Sequence, residues 1–306
     1  MKQLLSSLYN IEVTSFIKLS DKAYKIKTQE NEYILKYIDK KNLDNIIEKL
    51  NVLNINSFLF PILNNNNEYT SLYNDISFSI FPSLTQEKVS LNDLKVNFFL
   101  NTLSSLHNKT FYYLKVNETF FKDTYEYIGN RIDEAEDKIT TYINTLEKKD
   151  YKSPSEWLFI LNYPLYIESI NNANKALEKF KELSYTKNSI RMSFTYKAFD
   201  YNHIFLKEQK IIGIENIELS PPIYDIFYTL STINNTPIDI KNYYTKYFNS
   251  FILEDYEKEW LYSLLSIPII NISESESENI KNISASLEYI KSSYEIIGTI
   301  KDLKLV

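Results

Sequence analysis

Apolar and polar residues alternate along two short runs near the amino terminus, AYKIKT and EYILKYI, with the polar stretch QENE between them. Alternation with period two marks a strand buried on one face, so the pair predicts a β-hairpin. The period changes in KNLDNIIEKLNVLNI, where Leu43, Ile46, Ile47, Leu50 and Leu53 recur at spacings of three and four and describe one apolar helix face. β-type runs return in FLFPILNNNNEYTSLYNDISFSIFPSL, and the asparagine tract at 64–67 reads as a polar connection within them. Pro82 breaks the last run, because its ring removes a backbone donor, and the helical period takes over in SLNDLKVNFFLNTLSSLHNKT.

From there to about residue 190 the pattern is helical, with YEYIGNRIDEAEDKITTYINTLEKK and LYIESINNANKALEKFKELS as amphipathic segments. Two short strand-like runs follow, HIFLKEQK and KIIGIENIEL, and the remainder is again helical. The charged tract SESESE at 273–278 reads as a solvated loop or a helix start. The shift in pattern near residues 82–90 divides the chain into a β-rich part with one inserted helix, 1–82, and a helical part, 83–306.

Composition narrows the function classes. Hydrophobic residues at 44% and charged residues at 24% are those of a folded globular chain. A net charge of −6 offers no broad footprint for a polyanion, which disfavours nucleic acid as the main partner. The absence of cysteine excludes disulfides and thiolate chemistry, and two histidines, His107 and His203, disfavour a multi-histidine metal site. The amino terminus lacks the pattern of a signal peptide, and no stretch approaches the ~18 apolar residues of a membrane helix, so the expectation is a soluble cytoplasmic chain with no membrane insertion. Three glycines in 306 residues leave no glycine-rich phosphate loop.

A small β-rich part with one helix, followed by a large helical part with a β-hairpin inside it, resembles the protein-kinase-like fold. That likeness implies an α+β, bilobal architecture, with a small antiparallel β-sheet N-lobe and a large helical C-lobe. YILKYI resembles the third strand of aminoglycoside and choline kinase relatives, in which a strand lysine contacts nucleotide phosphates; that lysine is Lys36, and Glu48 on the next helix is its candidate partner. Alternation alone predicts Lys36 on the solvent face of a strand. LSSLH, ending at His107, resembles a helix pattern of these kinases and reads as a fold marker.

Residues 196–203, YKAFDYNH, align with the His-Gly-Asp-x-x-x-x-Asn catalytic loop. The family histidine falls on Tyr196, the catalytic aspartate on Ala198 and the metal-binding asparagine on His203. The second metal position falls on Glu215 in GIENIEL, seventeen residues after Ala198, and PPIYDIFYTLS places Pro222 and Asp225 at the following helix start. Within this fold, SPSEWLFILNYPLYIESINNANKALEKF and EKEWLYSLLSIPIINI resemble the spore-coat-associated kinase-like proteins of endospore-forming bacteria.

Phosphoryl transfer needs a group to orient the nucleophile and accept its proton, and oxygen ligands for magnesium. Alanine at 198 cannot accept a proton, and His203 replaces a hard oxygen ligand poorly. Glu215 keeps an oxygen ligand, and Ser20 in LSDKA could cover phosphates. Asp200, two residues past the aspartate position, is either a substitute base or a turn aspartate. The resemblance therefore implies a pseudokinase that acts as a binding or scaffold protein, with ATP and magnesium as candidate ligands. Its partners would be a nucleotide or spore-coat proteins, with synthesis in the mother cell in the latter case. The alternative is an atypical ATP-dependent small-molecule kinase using Asp200, Glu215 and Lys36; a helical interaction module without kinase ancestry is the third expectation.

Overall fold

The computed structural model describes residues 1–38, 43–85, 91–117, 119–233 and 240–303. Helix α1 (Lys2–Tyr9) leads into strands β1 (Ser15–Ser20), β2 (Ala23–Lys27) and β3 (Glu32–Tyr37), followed by helix α2 (Leu43–Val52) and strands β4 (Ser71–Tyr73) and β5 (Ile76–Pro82). The five strands form one sheet in the order β1-β2-β3-β5-β4, antiparallel at every pairing. The predicted hairpin is β2–β3, in register from Ala23 opposite Lys36 to Lys27 opposite Glu32.

Period two then sorts the side chains. Ile26, Leu35, Phe78 and Ile80 join Leu5 and Tyr9 of α1 in a buried cluster, while Ile34 and Lys36 project from the other face of β3. The predicted face of α2 buries Leu43, Ile46, Ile47 and Leu50, each contributing roughly 1.5–3 kcal/mol, and Leu53 lies just beyond the helix end.

Two expectations need correction. FLFPIL is not a strand: Phe58 forms an isolated bridge to Ile211, and the peptide groups of Ser57 and Leu59 exchange bonds of 2.8 Å with Ile211. Pro61 lacks the donor that a strand ladder requires. The helical stretch up to residue 190 is interrupted by strand β6 (Tyr112–Lys115) between α3 (Asn92–Thr110) and α4 (Phe120–Glu147). The asparagine tract is an ordered turn, in which the Asn64 side chain accepts from the amides of Asn66 and Glu68 at 2.9 and 3.0 Å.

After α4 come α5 (Pro154–Ser184), β7 (Ser189–Thr195), β8 (Ile204–Phe205), β9 (Lys210–Ile211), β10 (Glu218–Ser220), α6 (Ile223–Ile233), α7 (Ile240–Ser250), α8 (Asp255–Ser266) and α9 (Glu276–Asp302). By packing, the chain forms two compact units, Met1–Ser105 with Asp200–Glu218 and Leu106–Phe199 with Leu219–Val306. The first unit thus takes in α3 as far as Ser105 and the β8–β9 hairpin as well as the sheet. The pattern shift expected at 82–90 lies partly at residues 86–90, outside those described.

The second unit is built on α5, which packs against α4, α8 and α9. At its start Ser153 and Glu156 form a reciprocal capping box, with Pro154 in the first turn. Glu276, in the first turn of α9, adds a second cap, accepting from the Ser155 amide and hydroxyl and from the Ser153 hydroxyl at 2.6–2.7 Å. SESESE is accordingly a helix start, with Ser275 at its N-cap.

Candidate functional site

In the first unit a cavity of about 280 Å³ opens on the face of the sheet that carries Ile34 and Lys36. Ala23, opposite Lys36 on β2, leaves room there, and Phe81, opposite Ile34 on β5, supplies a ring. Leu19, Leu59, Pro82, Ser83, Leu84, Phe205 and Ile212 continue the lining, which Gly213 and Glu215 complete. Gly213 has φ 84° and ψ 36° and starts a single 3-10 turn, Ile214–Asn216. A side chain is strained in that conformation, so glycine lets the chain reverse and present Glu215. The Lys36 ammonium bonds directly to the Glu215 carboxylate. Their side chains are 34% and 15% exposed, so the pair is partly shielded from water.

In the second unit, residues 196 and 197 are held by a buried carboxylate. Asp225, in the first turn of α6, accepts from the Tyr196 amide at 2.9 and 3.0 Å and from the Lys197 amide at 2.6 Å. Lys197 has φ 43°, which bends the loop at that point. His107 Nε2 lies 2.9 Å from Asp225 and Nδ1 lies 2.6 Å from the Tyr247 hydroxyl. Burial, and then the neighbouring Asp225 charge, push the Tyr247 hydroxyl well above its ordinary value, so it stays protonated. Nε2–H donates to the Asp225 carboxylate, which can only accept, and Nδ1 is bonded to the Tyr247 hydroxyl. Asp225 therefore braces residues 196 and 197, and His107, which the sequence offered only as a fold marker, is bonded to that brace.

Ala198, next in the loop, carries only a methyl group. Asp200 caps a 3-10 turn, Tyr201–His203, with a carboxylate oxygen accepting from the Asn202 amide at 2.7 Å. The Tyr201 carbonyl accepts from Lys95 Nζ at 2.9 Å, and the His203 carbonyl from the Ile212 amide at 2.9 Å.

Of the residues singled out in the sequence, the structure brings together Lys36 and Glu215. Glu48 is exposed on α2 and is not the partner of Lys36, which Glu215 holds instead. Ser20 accepts from the Lys22 amide at 3.3 Å within the β1–β2 turn, and its neighbour Leu19 is the residue that lines the cavity. Asp200 and His203 are not among the lining residues. The apolar wall was missed. Ile34 and Phe81 could have been found as a same-face cross-strand pair, whereas Leu59 and Ile212 reach it through the bridge to Ile211, which no local pattern reports.

An apolar slot of this size fits a planar ring, and the lysine at its end is held by Glu215. The donor set does not fit magnesium: Glu215 is a single carboxylate engaged by Lys36, and among the described residues no group of three or more His, Asp or Glu side chains converges. Among the described residues no helix is long and apolar enough to cross a membrane.

No family model matches the chain. It is similar to the 3'-5' exonuclease DinG of Staphylococcus epidermidis, with 24% identity over 278 residues, 82% of this chain and 29% of that protein. The chain thus spans less than a third of that relative's length. Among solved structures it is similar to an aminoglycoside phosphotransferase from Alicyclobacillus acidocaldarius, with a TM-score of 0.69 at 8% identity over 99% of this chain and 96% of that one. The AMP-bound spectinomycin phosphotransferase gives a TM-score of 0.54 at 13% identity, covering 99% and 93% of the two chains. Likeness at these identities is one of fold, and this chain has the α+β protein-kinase-like fold that those phosphotransferases share.

Proposed function

We propose that this chain is a pseudokinase, a binding protein on a phosphotransferase fold that does not itself transfer phosphoryl groups. The observation that carries the reading is Ala198, a methyl group at the position that aligns with the proton acceptor, on a loop still held by Asp225. The AMP-bound state of the spectinomycin phosphotransferase supports a nucleotide as the ligand class. The apolar walls would meet its base, while Lys36 stays bonded to Glu215.

The alternative, an ATP-dependent small-molecule kinase acting on a hydroxyl or amine, requires Asp200 to give up its turn and serve as base. Incubation with ATP, magnesium and a panel of amino alcohols and aminoglycosides, read as ADP release, distinguishes the two. No release above the blank is expected; turnover that Asp200→Ala abolishes would establish the kinase. The exonuclease likeness covers 29% of that protein and supplies no activity to carry over, and the net charge of −6 runs against a polyanion partner.

Association with a spore coat rests on the resemblance of residues 153–180 and 257–272 alone. A fluorescent fusion that stays diffuse throughout sporulation would remove it.

A further inference from the structure

Lys36 and Glu215 are the charged side chains among the described residues lining the cavity, and each is engaged by the other. Elsewhere the lining is dominated by apolar side chains, among them Leu59, Phe81, Phe205 and Ile212. We infer that Glu215 occupies, on Lys36, the place a ligand's phosphate would take. The cavity therefore selects an uncharged planar ring compound, of the size of a nucleobase or nucleoside, over a nucleoside triphosphate, and takes it without a metal ion. This rests on the reading of the cavity as a ligand site.

The balance of terms supports that order. Burying a flat ring against the apolar wall is favourable in proportion to area and leaves the ion pair intact. A phosphate must displace the carboxylate from Lys36 and then bring its own negative charge beside it, where limited exposure weakens screening. A divalent cation between the two anions would relieve the repulsion. It would need Glu215 released and further oxygen ligands in octahedral array, and the described residues converge no such group.

The test is calorimetric titration of the full chain with adenosine, AMP and ATP, with and without magnesium, repeated on Glu215→Gln. Glutamine keeps the size of the side chain, and a thermal melt of each protein confirms that both are folded. The native chain is expected to bind adenosine at least as tightly as ATP, with no gain from magnesium. In Glu215→Gln the lysine is released from its ion pair, so ATP should tighten about 5- to 10-fold while adenosine stays within about twofold. If magnesium tightens ATP binding to the native chain and Glu215→Gln abolishes that gain, Glu215 is a metal ligand and the inference falls, although the ligand-site reading stands. Failure of every compound to bind either protein overturns both.

Discussion

Asp225 and Glu215 are two carboxylates of this chain, and their surroundings treat them differently. Asp225 is fully buried and accepts hydrogen bonds from two backbone amides and a histidine, itself bonded to a buried tyrosine. Glu215 is partly shielded and meets one lysine at the edge of a cavity. A buried carboxylate with several donors specifies backbone geometry, because each donor left without it would carry a desolvation cost. A partly exposed pair contributes little to stability and can exchange partners. The first arrangement holds the backbone at residues 196 and 197, whereas the second leaves a carboxylate and a lysine at a cavity edge.

The largest effect should come from attacking the brace. Asp225→Ala leaves two amides and His107 without their acceptor, and urea unfolding should show a loss of about 3–5 kcal/mol. A loss below about 1 kcal/mol would break the comparison. Glu257 belongs with the buried class: Arg191 Nε donates to it at 3.0 Å, its second oxygen is also bonded by Arg191, and the guanidinium stacks 4.3 Å from the Phe251 ring centroid. Glu257→Gln should cost about 3 kcal/mol by the same measurement, since a buried guanidinium is left uncompensated.

Backbone strain comes next. Gly213→Ala forces a side chain into φ 84° and should cost about 1–2 kcal/mol. It should also misplace Glu215, which a changed adenosine affinity would report; an unchanged unfolding midpoint would show that the turn adapts. At the cavity edge, Lys36→Met should alter stability by less than about 1 kcal/mol while removing whatever phosphate preference Glu215→Gln creates. A larger destabilisation would place the Lys36–Glu215 pair in the buried class.

The smallest effect is a pH dependence in the second unit. Hydrogen bonds from the hydroxyls of Ser155 and Ser153, then the Ser155 amide, hold the Glu276 carboxyl below its ordinary value of 4.5. The Lys149 ammonium does the same, first, for Glu156. A folded-state value below the unfolded one means that the unfolded chain binds more protons as pH falls through this window. The stabilisation is present above about pH 4.5 and is lost below it as the folded carboxyls protonate. Glu276→Gln should flatten the acid limb of unfolding free energy against pH; an unchanged slope would assign that limb to other carboxyls.

Local patterns carried much of the fold because they obey short-range rules. The period-two runs located β2 and β3, and the three-and-four spacing located the buried face of α2. FLFPIL and TFYYLKV misled or stayed silent because their hydrogen bonds go to distant partners: Leu59 to Ile211, and β6 to β7 across Tyr112 and Met192. The candidate site divides in the same way. Motif order pointed to Lys36, Glu215 and Asp225, whereas Glu48 was a wrong partner because helix periodicity does not say which face meets a given strand.

Taken alone, the chain's residues determined the alternation of strand and helix, the absence of thiol chemistry and the alanine at 198, since these depend on composition and near-neighbour sterics. Which carboxylate meets Lys36, which side chains enclose the cavity and how Asp200 uses its oxygen were decided only by tertiary structure. Each depends on a backbone reversal or a pairing between segments far apart in sequence, such as the Gly213 turn that carries Glu215 to a lysine 179 positions earlier. The stabilisation of such a contact exists only once both segments are fixed in place.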